Sequence, residues 1–321
     1  MGAVSSSSST TTPLSAKTPY FDEIGKEAKT TDAIFLETEV GLRSELSPET
    51  VVETMLIGRH GPRVTLVHEG QSGIHGDVQI VQVNDKGKQD GVSPLSCNAS
   101  FPIRSLSSAK TLFSVDVGVN AAGWYGGLKH STASYAAQAR HFRAIPGRGH
   151  SYSTLSLVRS MPFKFSRGVK EGDKSNIENT YTLTAGVQVR SEETNEFSSC
   201  AQISRENFAV TAIVDQQKTD FRVWEYRPQT ETHIASIVTF PSYWLMSRLR
   251  APEYSVAIEQ QFREPYSAKA RLSTLGTFGL SVLASPVGPI SGQVVVSAQW
   301  QIQDRTLNPN KVGFGLMFGS I

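Results

Sequence analysis

A chain of 321 residues with 19% charged side chains and a formal net charge of only +2 has no electrostatic footprint for nucleic acid and no acidic, disordered character. Its two cysteines, Cys97 and Cys200, are too few and too far apart for a disulfide framework or a paired metal-ligand motif, and both are expected to be reduced. No apolar run reaches the ~18 residues of a membrane helix, and no charged region followed by an apolar stretch marks a secretory signal, which argues against a bacterial exported protein.

Residues 1–18 open with MGAVSSSSSTTT, a Ser/Thr-rich tract that cannot bury enough apolar area to order itself, so a disordered tail is expected. Gly2 with Ser6 fits an N-myristoylation pattern; the plain alternative is an unmodified tail. Thr18 before Pro19 then reads as a helix N-cap with proline in the first turn. Phe21, Ile24 and Ala28 fall on one face, with Asp22, Glu23, Lys26 and Glu27 elsewhere, which predicts a short amphipathic helix over 19–30, about three turns long.

From Thr31 the hydrophobic period changes to two, with strand-like stretches at 31–42, 51–58 and 62–69. Between the last two lies Arg59-His60-Gly61-Pro62-Arg63. A nucleophilic histidine flanked by phosphate-holding arginines has this form, as in histidine phosphatases. Such a site needs a second histidine beside an acid far downstream, and His75, His130, His141, His150 and His233 have no acidic neighbour in sequence. Gly61 and Pro62 make a turn, so Arg59, His60 and Arg63 read as an exposed basic turn. With no phosphate-cradling loop, nucleophile elbow or histidine pair at metal spacing, neither an enzyme nor a bound cofactor is expected.

Further along, TLFSVDVGVN sets Phe113, Val115, Val117 and Val119 against Ser114, Asp116 and Asn120. TYTLTAGVQVR opposes Tyr181, Leu183, Ala185, Val187 and Val189 to Thr180, Thr182, Thr184, Gln188 and Arg190. GQVVVSAQWQIQ opposes Val294, Val296, Ala298, Trp300 and Ile302 to Gln293, Ser297, Gln299, Gln301 and Gln303. Similar alternation runs near 132–140, 151–159, 207–215, 219–227, 231–239, 252–263, 267–273, 277–284 and 311–318, separated by turn clusters. Strand following strand with nothing helical between excludes a βαβ architecture and leaves an antiparallel barrel or a sandwich.

The chemistry of the two faces favours a transmembrane β-barrel over 31–321. The polar face is mostly Gln, Ser, Thr, Gly and Asn rather than Lys and Glu, and Tyr152, Tyr181, Tyr254, Trp300 and Phe318 sit on the apolar face near strand ends, where an interfacial girdle belongs. Unpaired backbone groups cost several kcal/mol in hydrocarbon, so a membrane sheet must close on itself. The alternative is a soluble β-sandwich, such as a binding or capsid protein. If Ile34, Leu36, Val40 and Leu42 face lipid, then Glu37 and Glu39 face the lumen; Asp116, Glu259, Gln299, Gln301, Lys269 and Arg271 join them by the same parity. The helix, with Phe21, Ile24 and Ala28 toward the wall, is expected within or across the lumen, or else on the surface against a partner.

The last strand, NKVGFGLMFGSI, places Lys311, Gly313, Leu316 and Phe318 in the order polar, glycine, hydrophobic, hydrophobic that resembles the β-signal of mitochondrial outer-membrane barrels. PYFDEIGKEAK at 19–29 is similar to the helix-forming segment before the first strand of the porin-3 superfamily, which includes the Tom40-type translocase pores and the voltage-dependent anion channels. YSAKARLSTLGTFGLSVLASPVG at 266–288 and the strands after it resemble the final hairpins of both. The ending VGFGLMFG resembles the translocase pores more closely; the match covers about the first 25 ordered residues and the last 55, and the divergence of the middle points to the protist, archaic branch of those pores. The resemblance implies about 19 strands closed by a parallel first-to-last pairing. It also implies a channel for import of unfolded precursor polypeptides across the mitochondrial outer membrane, the metabolite channel being the alternative. Its implied partners are small single-helix subunits and receptors of an oligomeric import complex, the barrel-assembly machinery and the lipid bilayer. Glu37, Glu39, Asp116, Glu259, Gln299, Gln301, Lys269 and Arg271 would then be candidate precursor contacts.

Overall fold

The structure, a computed structural model, describes residues 18–34, 38–57, 61–69, 75–81, 95–103, 111–147, 149–165, 179–241, 251–262, 265–285, 292–301 and 311–319. Gly2, Leu36, Glu37, Arg59 and His60 lie outside the described residues. The first elements are a 3-10 turn at Phe21–Glu23 and a helix, α1, at Lys26–Asp32. Nineteen strands follow. They are β1 (Thr38–Ser47), β2 (Thr50–Ile57), β3 (Gly61–Glu69), β4 (His75–Val81), β5 (Leu95–Pro102), β6 (Thr111–Asn120), β7 (Gly123–Thr132), β8 (Tyr135–Ala144), β9 (Tyr152–Phe165) and β10 (Asn179–Ser191). Then come β11 (Asn195–Arg205), β12 (Phe208–Val214), β13 (Lys218–Arg227), β14 (Thr232–Pro241), β15 (Glu253–Gln261), β16 (Tyr266–Ser273), β17 (Thr277–Ala284), β18 (Gly292–Gln301) and β19 (Lys311–Gly319).

Each strand pairs antiparallel with the next, and β1 closes the sheet on β19. An odd number of up-and-down strands leaves the first and last pointing the same way, so this seam is parallel, running from Thr38 opposite Phe314 to Arg43 opposite Gly319. Closure leaves no unpaired edge, which a sandwich would have. The hairpins are set by local chemistry. Asn120 Oδ1 accepts from the backbone N–H of Ala122 and Gly123, and Asp215 Oδ1 from those of Gln217 and Lys218. Gly123 admits no side chain, because a Cβ there would lie 2.2 Å from the Arg143 carbonyl oxygen.

The apolar residues face outward. Leu155 is 61% exposed and Leu56 59%, whereas inward Asp116 and Glu39 are each 5% exposed. Outward aromatics gather in two bands. At one rim stand Phe101, Phe113, Tyr135, Tyr181, Tyr266 and Phe318; at the other stand Trp124, Phe197, Tyr254, Phe278 and Trp300. An apolar belt between two aromatic bands is the outer surface of a transmembrane-type barrel.

Several expectations change, among them the N-cap, which is Tyr20 rather than Thr18, with Pro19 ahead of the first turn. The predicted three-turn helix is interrupted at Gly25, whose left-handed φ of 69° separates the 3-10 turn from α1. The helix then runs to Asp32, where a strand was expected from Thr31. Tyr152 belongs to the inner face: it stacks on Phe142 and lies 4.2 Å under the Arg190 guanidinium. Arg63 is part of β3 rather than of an exposed turn, opposite Met55 on the inner wall, with its Nη2 2.7 Å from the Met55 sulfur.

Candidate functional site

The described inner wall and the segment 18–34 that crosses it form one arrangement. The Thr18 backbone N–H donates to the Thr132 carbonyl at the end of β7, and the Lys129 ammonium lies 5.4 Å from the Tyr20 ring centroid. Phe21 and Ile24 are buried against Val158 of β9 and Cys200 of β11, together with Ala136 of β8. The Gly25 N–H donates to Gln202 Oε1 at 3.1 Å, and the Arg222 guanidinium of β13 reaches the Gly25 carbonyl at 3.4 Å. Helix α1 lies over β14, β15 and part of β13, where Ala235 and Ala257 are fully covered. Ile34 ends over Gly279 of β17, where an added Cβ would come within 3.1 Å of it. The expected lipid-facing Ile34 is therefore inside.

Contacts made in succession with β7, β8, β9, β11, β13, β14, β15, β16 and β17 lay the segment along the inner wall, and small inward residues at Ala136, Ala235 and Ala257 make room for it.

The charged residues of the wall stand in cross-strand groups. Asp116 on β6 pairs with Lys129 of β7 at 2.7 Å and approaches Arg140 of β8 at 3.8 Å. Glu259 on β15 pairs with Lys269 of β16 at 3.1 Å; that ammonium also donates to the Thr30 carbonyl at 2.9 Å. Arg271 donates from Nε to Asp32 Oδ1 at 3.1 Å, so Lys269 and Arg271 together hold the end of α1. Those bonds also place two cations at the negative end of the helix dipole. Asp220 accepts from Arg222 at 2.9 Å and from Thr239 Oγ1 at 2.9 Å, with Lys218 at 3.3 Å. Burial first, then the Glu23 and Asp116 carboxylates, push the Tyr20 phenol up to about 12, which keeps it neutral.

Glu39 lies on the inner face of β1 at the seam, beside Gly315 of β19. Gln299 and Gln301 continue that wall on β18, Gln301 donating to the Leu275 carbonyl at 2.8 Å in the β16–β17 turn. Lys311 and Gly313 face inward opposite Gln299 and Ser297, while Leu316 and Phe318 face outward. The predicted residues thus divide into two clusters at opposite ends of the segment, Asp116 near Tyr20 and Glu259, Lys269 and Arg271 near Asp32, plus Gln299, Gln301, Lys311 and Glu39 along β18, β19 and β1. Sequence reasoning missed Lys129, Arg140, Asp32 and the Lys218-Asp220-Arg222 ladder. The last was readable, since three alternating charges share one face of a strand.

Chemically, the arrangement offers a polar, water-accepting wall with both signs of charge. Barrels of about 16 to 18 strands already leave an aqueous channel, and this one is larger. The fold therefore fits a channel-type role. Compared with known protein families and with curated proteins, the chain matches no family model and no relative.

Proposed function

We propose that this chain is the protein-conducting pore of an import translocase in the mitochondrial outer membrane, passing unfolded precursor polypeptides without catalysis. The observation that carries the reading is the inner wall. Its charges alternate in sign as Asp116 with Lys129 and Arg140, Asp220 with Lys218 and Arg222, and Glu259 with Lys269. A wall of that kind offers weak, exchangeable sites to a basic amphipathic presequence and to the mixed chain behind it, and weak sites let the chain move on. Between Lys311 and Glu39 runs the uncharged strip of Val295, Ser297, Gln299 and Met317, which would accept apolar stretches of the chain.

Lys311, Gly313, Leu316 and Phe318 would serve assembly rather than transport. Until β1 pairs with β19, the last strand presents an open edge, and β-augmentation by the assembly machinery would satisfy its backbone. The companion subunits and receptors of the oligomeric complex would sit on the outer apolar face, in the bilayer.

The same-fold metabolite channel is the second reading, favoured by Lys129, Arg140 and Arg190 on the wall from β7 to β10. Planar-bilayer recording of the full chain separates the two. Import predicts weak ion selectivity and transient block by a basic presequence peptide, together with co-purified single-helix subunits and arrested precursors. Strong anion preference with voltage closure, and no block by the peptide, would contradict it.

A further inference from the structure

The apolar belt of the barrel is broken by Arg159. Its neighbours Val158 and Ser160 are buried on the inner face, so Arg159 points outward, where it is exposed. Among the described residues the other outward Arg and Glu side chains lie toward strand ends: Arg143 and Arg205 close β8 and β11, and Glu225 pairs with Arg227 at 2.9 Å. Arg159 lies inside β9, opposite Tyr135 on β8 and Ala185 on β10, with Leu157 and Met161 exposed on either side. Its guanidinium has no hydrogen-bond or ion-pair partner among the described residues. Tyr135, the first residue of β8, belongs to the aromatic band, which sets Arg159 at the depth where lipid headgroups begin.

A second feature leads away from it. Below Tyr135 the outward residues of β8 are Ala137 and Ala139. They lie between Leu155 and Leu157 of β9 on one side and Leu128 and His130 of β7 on the other. On β7 the next outward position is Gly126, where an added Cβ would meet nothing within 4 Å. The result is a furrow one strand wide, headed by a cation and a phenol. The bounding strands are about 9.6 Å apart, backbone to backbone, before their side chains narrow the gap. That gap takes a single acyl chain, whereas a helix with side chains needs about 10 to 12 Å.

We propose that this furrow seats one anionic phospholipid. The Arg159 guanidinium holds its phosphate through the planar fork that matches two phosphate oxygens, with the Tyr135 hydroxyl as a further donor. One acyl chain lies on Ala137 and Ala139 against Leu155 and Leu157. The inference rests on the reading of the barrel as membrane-embedded.

Native mass spectrometry of the full-length chain in micelles doped with phosphatidylglycerol tests it. Wild type should retain one phosphatidylglycerol. Loss of a charge-assisted bidentate contact should cut retention about tenfold in Arg159→Gln, with Arg159→Lys between the two. Arg143→Gln, at the other end of β8, should match wild type. Ala137→Leu, which fills the furrow and leaves the charge, should also lose the lipid. Equal retention by Arg159→Gln and wild type would overturn the proposal, as would unchanged retention in Ala137→Leu. So would loss from Arg159→Gln of a co-purifying protein with lipid unaffected, which would assign the cation to a carboxylate on a partner helix. Carbonate extraction of wild-type membranes keeps the two readings apart: a released chain fails the membrane assignment, whereas an embedded chain without retained lipid fails only this site.

Discussion

Replacing Gly25 by alanine should loosen the inner segment while leaving the barrel intact. Gly25 has a φ of 69°, a left-handed conformation that costs a residue with a Cβ about 1 to 2 kcal/mol. The added Cβ would also stand 3.2 Å from Thr211 Cγ2 and 3.3 Å from Arg222 Nη1. Neither can withdraw freely, because Thr211 Oγ1 donates to Gln202 Oε1 and Arg222 is held by Asp220. Adding part of one hydrogen bond, about 0.5 kcal/mol, gives a loss of about 2 kcal/mol, or roughly 30-fold in the docking equilibrium. Cys200 is a native reporter, since its thiol is buried in the cluster with Phe21 and Ile24. In a Cys97→Ser background, which removes the other thiol, modification of Cys200 by a charged methanethiosulfonate should be slow in the parent and roughly 30-fold faster in Gly25→Ala. Rates agreeing within about twofold, with the barrel still folded, would refute the claim that Gly25 anchors the segment.

Val296→Arg, on the outer face of β18, should destabilise the barrel in vesicles by about 2 to 4 kcal/mol in urea unfolding, whereas inward Gln299→Arg should stay within about 0.5 kcal/mol. The Asp32–Arg271 pair is partly screened, so a double-mutant cycle with Asp32→Asn and Arg271→Ala, read through Cys200 protection, should give a coupling of about 0.5 to 1 kcal/mol; strict additivity would exclude the bond. The Tyr20 phenol is raised from 10.0 to about 12, so docking should hold full strength below pH 10 and weaken as pH rises from 10 toward 12. A spin label at the exposed Glu27 position should become more mobile over that range in wild type but not in Tyr20→Phe.

Alternation revealed strands wherever the two faces differ strongly in transfer free energy, as in β6, β10 and β18. It was silent for β7, where Gly126 and Gly127 carry no side chain to report a face. It was equally silent for β11, where Ser199 and Ala201 face out while Ser198 and Cys200 face in. β5 mixes the small Ser96, Cys97, Asn98 and Ala99 on its two faces, and β4 alternates only over Asp77, Val78, Gln79 and Ile80, too short a run to stand out. Aromatic character alone puts Tyr152 on the outer face; strand parity puts it inside, and Val158, an apolar residue facing inward beneath the segment, disguises that parity in β9. The helix boundary was hidden by Thr30 and Thr31, whose β-branching suggests a strand. Packing decides otherwise, with Thr31 buried and Asp32 held by Arg271. The pairing of Asp116 with Lys129 and Arg140 depends on hairpin register, which no single strand encodes.

The most direct test of the account places nitroxide labels singly at Val294, Val296, Trp300, Gln299 and Gln301 of β18 in the reconstituted chain and measures relaxation by oxygen and by a water-soluble nickel chelate. Labels at Val294, Val296 and Trp300 should respond to oxygen dissolved in the lipid and be shielded from the chelate, and those at Gln299 and Gln301 should show the reverse. Chelate access at Val294 and Val296, with Gln299 and Gln301 shielded, would mean that water and lipid occupy the opposite sides of this wall.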